Sequence, residues 1–551
     1  MVLRPSTHLD SFARDHLPDP ATWPLLTFDR PELQYPDRLN CGEVLLDGAI
    51  SEGCGDRLAI LHRDRRLTYA DLHRLSDAYA RVLQMAQVRP GARVLLRGDN
   101  TPELFAAWLA VVRIGAIAVT TMPMLRAREL GPIIRKARVA VALCEAGLDA
   151  ELRLAAAAEP VLRTILTFGA PGADVEQAVQ DGADPVRPVA TSQDDVCLIA
   201  FTSGTTGEPK ATMHFHRDVL AMCDTFARHV VRADADAIFS GTPPIAFTFG
   251  LGGLLCFPLR VRAAVALPSQ ATPAALGEAV TRRRVTHLFT SPTGYRSLLA
   301  RQGDYDLSSL RTCISAGEHL PMATWQAWRD ATGLPLVDGI GATEMIHCFI
   351  SEPAETIRPG STGRPVPGYE VRLLNDDGHP IEGPGQGRLA VRGPTGCRYL
   401  DDPRQAAYVV DGWNLTGDVF RRDEDGYYWY VARSDDMIVS SGYNISGLEV
   451  EEALLLHPAV QECAVVAWPD AERGHIVKAL VVLRPGYDPG PDLVVALQQH
   501  VKLTLAPYKY PRAVGFVDSL PKTPTGKLQR SALRPGAAGG PADLHGAGPR
   551  G

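Results

Sequence analysis

Short apolar runs alternate with amphipathic helical stretches along most of this chain, and that alternation predicts the architecture. Arg93–Arg97 and Val196–Phe201 are compact apolar runs of strand length, and Gly115–Val119 is an apolar run behind a glycine turn. Leu104–Arg113 carries apolar residues at helical spacing, as does a helix that starts near Leu67–Leu72 and continues to about Val88. Strands alternating with helices predict parallel, doubly wound α/β units from about Gly42 to Pro268. The same pattern recurs in Thr286–Ser291 (strand), Pro292–Ala300 (helix), Thr312–Ala316 (strand) and Met322–Thr332 (helix).

Between about Gly360 and Tyr430 the period shortens. Strand candidates Tyr369–Leu374, Gly387–Arg392 and Tyr427–Val431 are separated by the turn clusters Asn375–Gly378 and Asp423–Gly426, which predicts a β-rich subdomain. After Arg433, helices at Leu448–Leu456 and Asp492–Leu505 flank strands at Gln461–Trp468 and Ile476–Leu483. The expected fold is therefore α/β. A large N-terminal domain over 1–433 holds two doubly wound α/β subdomains and the β-rich one, and a small α+β C-terminal domain covers 434–533. The Gly/Pro/Ala-rich stretch 534–551 is expected to be a disordered tail.

Composition changes this picture little and excludes some functions. With 551 residues the chain exceeds what one core supports, in keeping with several units. A net charge of −7 argues against a general nucleic-acid binder. The 10 Cys are scattered with no Cys-x-x-Cys pair, so they read as buried apolar residues in a reducing cytoplasm rather than as a metal cluster. Met1–Pro20 has no apolar core of a signal peptide, and no apolar run reaches the roughly 18 residues of a membrane helix. An intracellular, cytoplasmic protein without a membrane partner is expected.

Candidate chemistry begins directly after the Val196–Phe201 run, at Thr202-Ser-Gly-Thr-Thr-Gly-Glu-Pro-Lys210. A polyphosphate needs close backbone N–H groups, hydroxyl donors and a cation. Gly204 and Gly207 allow the tight backbone, Ser203, Thr205 and Thr206 supply hydroxyls, Lys210 supplies charge, and Thr202, which opens the run, is counted among the nucleotide-binding residues. The spacing is not that of a Walker A loop, in which the lysine directly follows the second glycine.

This loop resembles the signature of the adenylate-forming superfamily of acyl-CoA synthetases, luciferases and peptide-synthetase adenylation domains. Five further segments match the family in order: Asp338–Glu344, Trp413–Asp418, Arg433–Ile438, Ser440–Asn444 and Pro521–Lys527. The resemblance spans residues 20–533 and implies ATP, Mg²⁺ and coenzyme A as reactants or cofactors. It implies that Thr343 meets the α-phosphate, Glu344 holds Mg²⁺, Asp418 and Arg433 take the ribose, and Lys527 is the catalytic lysine. Gly317, Glu318, Asp338 and Gly339 join the nucleotide side. Asp435 would be the hinge about which a mobile small domain turns, and Gly442 with Tyr443 would border the thiol tunnel.

Selection of the acid is implied to fall to Phe247, Phe249, Gly250, Ser315, Gly317, Ile340, Gly341 and His347. Phe247 stands where many members carry His, and Ile340 where the usual residue is Tyr, which favours a flat apolar slot for an aromatic ring. These variants resemble the benzoate–CoA ligase branch. Ala211–His216, Arg392–Tyr399 and Ala506–Arg512 resemble 2-aminobenzoate–CoA ligases most. His347 is either a polar contact to the ring substituent or a structural histidine. The implied partners are a small aromatic acid, ATP and coenzyme A, in a monomer or homodimer. The alternatives are another substituted benzoate, an adenylating enzyme that loads a carrier protein, or a non-catalytic nucleotide binder.

Overall fold

The computed structural model describes residues 3–181, 184–202, 209–434, 436–440, 443–470, 473–522 and 528–535. Its helices begin where the strand-to-helix turns supply a cap. The Thr68 hydroxyl and Asp71 form a reciprocal capping box at the start of Tyr69–Met85. Thr101 caps Pro102–Arg113 and Ser291 caps Pro292–Leu299, each with proline in the first turn. The predicted helix Met322–Thr332 is observed with those bounds and ends at Gly333, whose φ of +75° only glycine adopts readily.

Two large sheets follow. A six-stranded sheet orders Thr164–Phe168, Val141–Glu145, Arg93–Arg97, Ile117–Thr121, Val196–Thr202 and Lys210–Phe215; its pairs are parallel except the last. A nine-stranded sheet has a parallel centre in which Leu336–Gly341, Thr312–Ser315, His287–Thr290, Ile238–Gly241 and Ala264–Leu267 are neighbours in that order. One apolar core joins the two sheets and extends into the β-rich subdomain through Leu373, Leu389 and Phe420.

Chain order and sheet membership diverge here. The stretch 42–268 reads as one alternating unit, yet Leu58–His62 pairs with Ala264–Leu267 in the second sheet and Arg65–Thr68 continues its edge. Leu67–Thr68 is accordingly strand, and the helix begins at Tyr69. Local periodicity reports which residues are apolar; it does not report a strand partner some two hundred positions away.

Glu370–Leu374, Gly385–Arg392, Trp413–Arg422 and Tyr428–Arg433 make an antiparallel β-rich unit, joined by the short Val409–Val410. Beyond it, Val460–Asp470, Gly474–Leu483 and Ala513–Phe516 form a small sheet covered by helices Gly447–Leu455 and Pro491–Thr504 around their own core. His319 Nε2 lies 2.8 Å from Glu452 Oε1 and brings this unit against the second sheet. Among the described residues no helix is long and apolar enough to cross a membrane.

The strand Lys210–Phe215 sits where these bodies meet. Its residues Ala211 and Met213 exchange backbone hydrogen bonds with Leu400 and Arg398 at 2.9 and 2.8 Å. The Arg398 guanidinium ion-pairs with Asp218 just past the strand, both side chains wholly buried. Burial alone raises a carboxyl's pKa, but Arg398, His214 and Arg217 together more than offset this and hold Asp218 below its ordinary value, with Arg398 the largest of the three. Removing one partner of such a pair strands a buried charge. Arg398→Met should therefore cost about 3–5 kcal/mol in urea unfolding, most of it recovered by adding Asp218→Asn. Unchanged stability in the single variant would show that the pair does not hold this junction.

Candidate active site

The parallel strands of the second sheet end together, at Gly241, Thr290, Ser315 and Gly341. Ligands of open α/β sheets bind outside such carboxyl ends. Ser315 pairs in register with Asp338, and its fully buried hydroxyl has no hydrogen-bond partner among the described residues. Gly317 has φ +90° with open space where a Cβ would stand, and Glu318 Oε2 accepts from Thr293 Oγ1 at 2.9 Å. Burial raises the Asp338 carboxyl to about 7, against the opposing effects of His319, the Gly339 N–H and Thr362. Two of the crevice walls are tied together by Asn100. Its amide donates to the Pro243 carbonyl at 2.9 Å, and its oxygen accepts from the Ile245 N–H at 3.0 Å.

On the first sheet, Val196–Thr202 is buried until Phe201, and Thr202 pairs across with Lys210. The ends of the glycine-rich segment are thus held side by side; Ser203, Gly204, Thr205, Thr206 and Gly207 lie outside the described residues. Lys210 Nζ stands over two aromatic faces, 5.2 Å from the Tyr399 centroid and 5.8 Å from that of Tyr408.

The turn Thr343–Met345 closes the crevice. The Thr343 carbonyl accepts from His214 Nε2 at 2.8 Å, and buried Glu344 accepts at Oε1 from the Tyr399 hydroxyl at 2.5 Å. Ile346 follows with φ +64°, a strained conformation for a β-branched residue. The Ile346 N–H bonds to the Thr343 carbonyl, and the Thr395 hydroxyl donates to the Met345 carbonyl at 2.9 Å. Glu344, with one oxygen bonded to a phenol and no cation paired to it among the described residues, fits a ligand for a hard divalent ion.

His347 then enters an aromatic cluster. Its ring centroid is 4.7 Å from Phe257, 4.8 Å from Phe226 and 5.7 Å from Phe249. Among the described residues neither ring nitrogen makes a hydrogen bond of normal geometry, and the Phe249 backbone carbonyl is the polar group facing the ring. Burial pushes the imidazole down to about 3, slightly opposed by the Phe249 backbone, so it is neutral. Glycine is required beside it: a Cβ on Gly252 would meet His347 Cδ2 at 2.6 Å, and one on Gly341 would meet the His347 backbone at 2.7 Å. A Cβ on Gly250 would collide with the Pro243 and Pro244 carbonyls. Phe247 precedes the turn Thr248–Gly250, half-buried, and half-buried Ile340 packs on the core.

Asp418 and Arg433 face each other across the β-rich unit in register, with Arg433 Nη1 3.0 Å from Asp418 Oδ1. Lys527, Asp435 and Gly442 lie outside the described residues; Tyr443 opens the strand Tyr443–Ile445, and only its backbone is described. The structure therefore brings together Lys210, Thr343 and Glu344 on one side, and Phe249, Gly341 and His347 on the other. Sequence reasoning assigned no role to His214, Tyr399 or Tyr408. The first two lie in segments noted only for their resemblance, and alternation along Lys210–Phe215 was the available signal.

One buried trio outside the crevice has ligand-like spacing: Cys41, Cys197 and His216. The His216 Nδ1 lone pair already accepts the Cys41 N–H at 3.1 Å, and among the described residues Nε2 lacks the outer partner a metal-bound imidazole normally has. Hydrogen bonding within the core accounts for this group.

A model of AMP-binding enzymes matches residues 49–398, and one of the AMP-binding enzyme C-terminal domain matches 449–527. A benzoate–CoA ligase of Thauera aromatica is 35% identical over 519 residues, covering 92% of this chain and 97% of the relative. The crystal structure of the anthranilate CoA ligase AuaEII with anthranoyl-AMP superposes with a TM-score of 0.86 at 32% identity, covering 92% and 98% of the two chains. A benzoate CoA ligase from Burkholderia xenovorans LB400 superposes with a TM-score of 0.81 at 30% identity, covering 90% and 99%.

The neutral His347 carries a sign-defined consequence. Above pH 6.5 the ring is uncharged in both folded and unfolded chains; as pH falls towards 3 only the unfolded chain takes up the proton, and stability is lost. Relative to His347→Phe, the native chain should lose about 2 kcal/mol between pH 7 and pH 5 in urea titrations. A flat difference between the two stability curves would mean that His347 gains its proton while folded.

Proposed function

The chain belongs to the AMP-binding enzyme family of adenylate-forming ligases, in the benzoate–CoA ligase branch, and on that premise we propose that it joins an aromatic acid, foremost 2-aminobenzoate, to coenzyme A. The acid is activated by ATP as an acyl-adenylate, with release of pyrophosphate, and the thiol then displaces AMP. The observation that carries the choice of acid is the aromatic cluster around His347, whose neutral ring presents one acceptor nitrogen, unpartnered among the described residues, of the kind an ortho amino N–H needs. The likeness to an anthranilate ligase supports the same reading.

In this reading 1–433 forms the adenylating domain, 434–533 the small C-terminal domain and 534–551 a tail. The carboxylate enters among Phe247, Phe249, Gly250, Ser315, Gly317, Ile340, Gly341 and His347. Thr202, Ser203, Gly204, Thr205, Thr206, Gly207 and Lys210 grip the polyphosphate, while Gly317, Glu318, Asp338 and Gly339 line the nucleotide. Thr343 contacts the α-phosphate, and Asp418 with Arg433 receives the ribose hydroxyls. Glu344 is the residue that would hold magnesium, and a bound magnesium ion supplies charge neutralisation at the phosphate oxygens. Attack of one anion on another is otherwise slow, so positioning and fixed positive charge dominate the catalysis. Lys527 is assigned to both the carboxylate and the α-phosphate. Rotation about Asp435 then withdraws it and brings Gly442 and Tyr443 to the thiol path, a hinge change separate from the chemistry.

Two experiments test this. Coenzyme A consumption with benzoate, 2-aminobenzoate, salicylate and a medium-chain fatty acid should be fastest with 2-aminobenzoate. A preference for benzoate would correct the substituent, a preference for the fatty acid would overturn the aromatic slot, and turnover only with a carrier protein would replace the acceptor. Lys527→Ala should abolish adenylation, read as acid-dependent pyrophosphate exchange, while sparing thioester formation from supplied acyl-adenylate. Equal loss of both half-reactions would remove Lys527 from its role.

A further inference from the structure

Tyr399 is a wholly buried residue to which no chemistry has been assigned. Its place is set twice: an antiparallel bridge pairs it with Thr212, and its N–H donates to Gln405 Oε1 at 2.9 Å. From that position one side chain serves both charges of the phosphate end. The hydroxyl donates to Glu344 Oε1 at 2.5 Å, and the ring face lies 5.2 Å from Lys210 Nζ. Tyr408 meets the Tyr399 ring edge-on at 5.7 Å and offers its own face to the same ammonium at 5.8 Å. Burial, together with the neighbouring Glu344, pushes the Tyr399 phenol well above its ordinary value.

We propose that Tyr399 is a positioning residue that couples the metal-binding carboxylate to the phosphate-loop lysine. Glu344 sits in a short turn with rotatable side-chain torsions. The phenol fixes one of its oxygens and leaves Oε2 outside that bond for a cation. The ring keeps the Lys210 ammonium at the loop's end through its π-face, and among the described residues no ion pair ties up the charge the polyphosphate needs. Outer partners of this kind alter metal affinity by about 10–100-fold when removed. The inference rests on the reading that Glu344 holds magnesium, and the test separates the two.

The experiment is calorimetric ATP binding to the full chain, in EDTA and across a magnesium series. Tyr399→Phe keeps the ring and loses only the hydroxyl. It should raise the magnesium concentration for half-maximal tightening of ATP by about tenfold or more, with ATP affinity in EDTA unchanged. Tyr399→Leu, which removes the ring as well, should weaken ATP in EDTA too. Wild-type magnesium dependence in Tyr399→Phe overturns the proposal, and so does equal weakening with and without magnesium, which a merely structural role would give. Glu344→Gln distinguishes the underlying reading: if it leaves the magnesium dependence unchanged, the metal assignment itself fails. The double variant Glu344→Gln/Tyr399→Phe, which leaves no buried carboxylate unsatisfied, should match Glu344→Gln alone. Any further shift would show that Tyr399 acts other than through Glu344.

Discussion

The period of two along the strand Lys210–Phe215 is the constraint from which the site follows. Alternate residues of a strand face opposite ways. Ala211, Met213 and Phe215 enter the core of the first sheet. Lys210, Thr212 and His214 therefore face the other way, where Lys210 meets Tyr399, Thr212 bridges Tyr399, and His214 holds the Thr343 carbonyl. Slipping this strand by one residue would turn the polar set into the apolar core and the apolar set towards the crevice, so the core itself specifies the register. The Arg398–Asp218 pair and the backbone bonds from 211 and 213 to 398 and 400 then transmit that register to the adjoining segment.

A second constraint is the turn after Leu336–Gly341. Ile346 holds a conformation that costs of order 1–3 kcal/mol for a β-branched side chain. Complete burial of its side chain and the hydrogen bonds to its neighbours sustain it. The reversal at Ile346 sends the residues on either side in different directions. Glu344 meets Tyr399 on the side of the glycine-rich loop, while His347 joins Phe226, Phe249 and Phe257. A relaxed helical residue at 346 would continue the turn and leave one of these two side chains without its partner.

Much of this was legible in the chain. Regular elements with strong period, such as Arg93–Arg97 and Met322–Thr332, are found with the predicted bounds, because burying one face dictates spacing. The interleaving of the two sheets was not legible, since pairing of Leu58–His62 with Ala264–Leu267 depends on chain reversal over a whole domain. Lys210–Phe215 does alternate polar and apolar residues, but its polar face looks into a protein crevice rather than into solvent. Tyr399 could not be seen as a partner of Glu344, 55 positions away, from composition or period. His347, open between two roles in the sequence, proves to be buried and, among the described residues, without a hydrogen bond of normal geometry; the structure removes solvent from its surroundings, which no local pattern reports.

The same turn thus serves the proposed phosphate and acid sites, which raises the question of how one could vary without disturbing the other. The geometry separates them. Between Glu344 and His347 stand Met345, whose carbonyl is fixed by Thr395, and Ile346, locked by its own strained backbone. A side-chain change at 347 would be absorbed by Phe226, Phe249 and Phe257, with Gly252 setting the limit on added volume. Nothing in that cluster touches Tyr399 or Lys210 among the described contacts. In the proposed reading, a rigid spacer of two residues between Glu344 and His347 lets a change at the ring-facing position leave the phosphate-facing one in place.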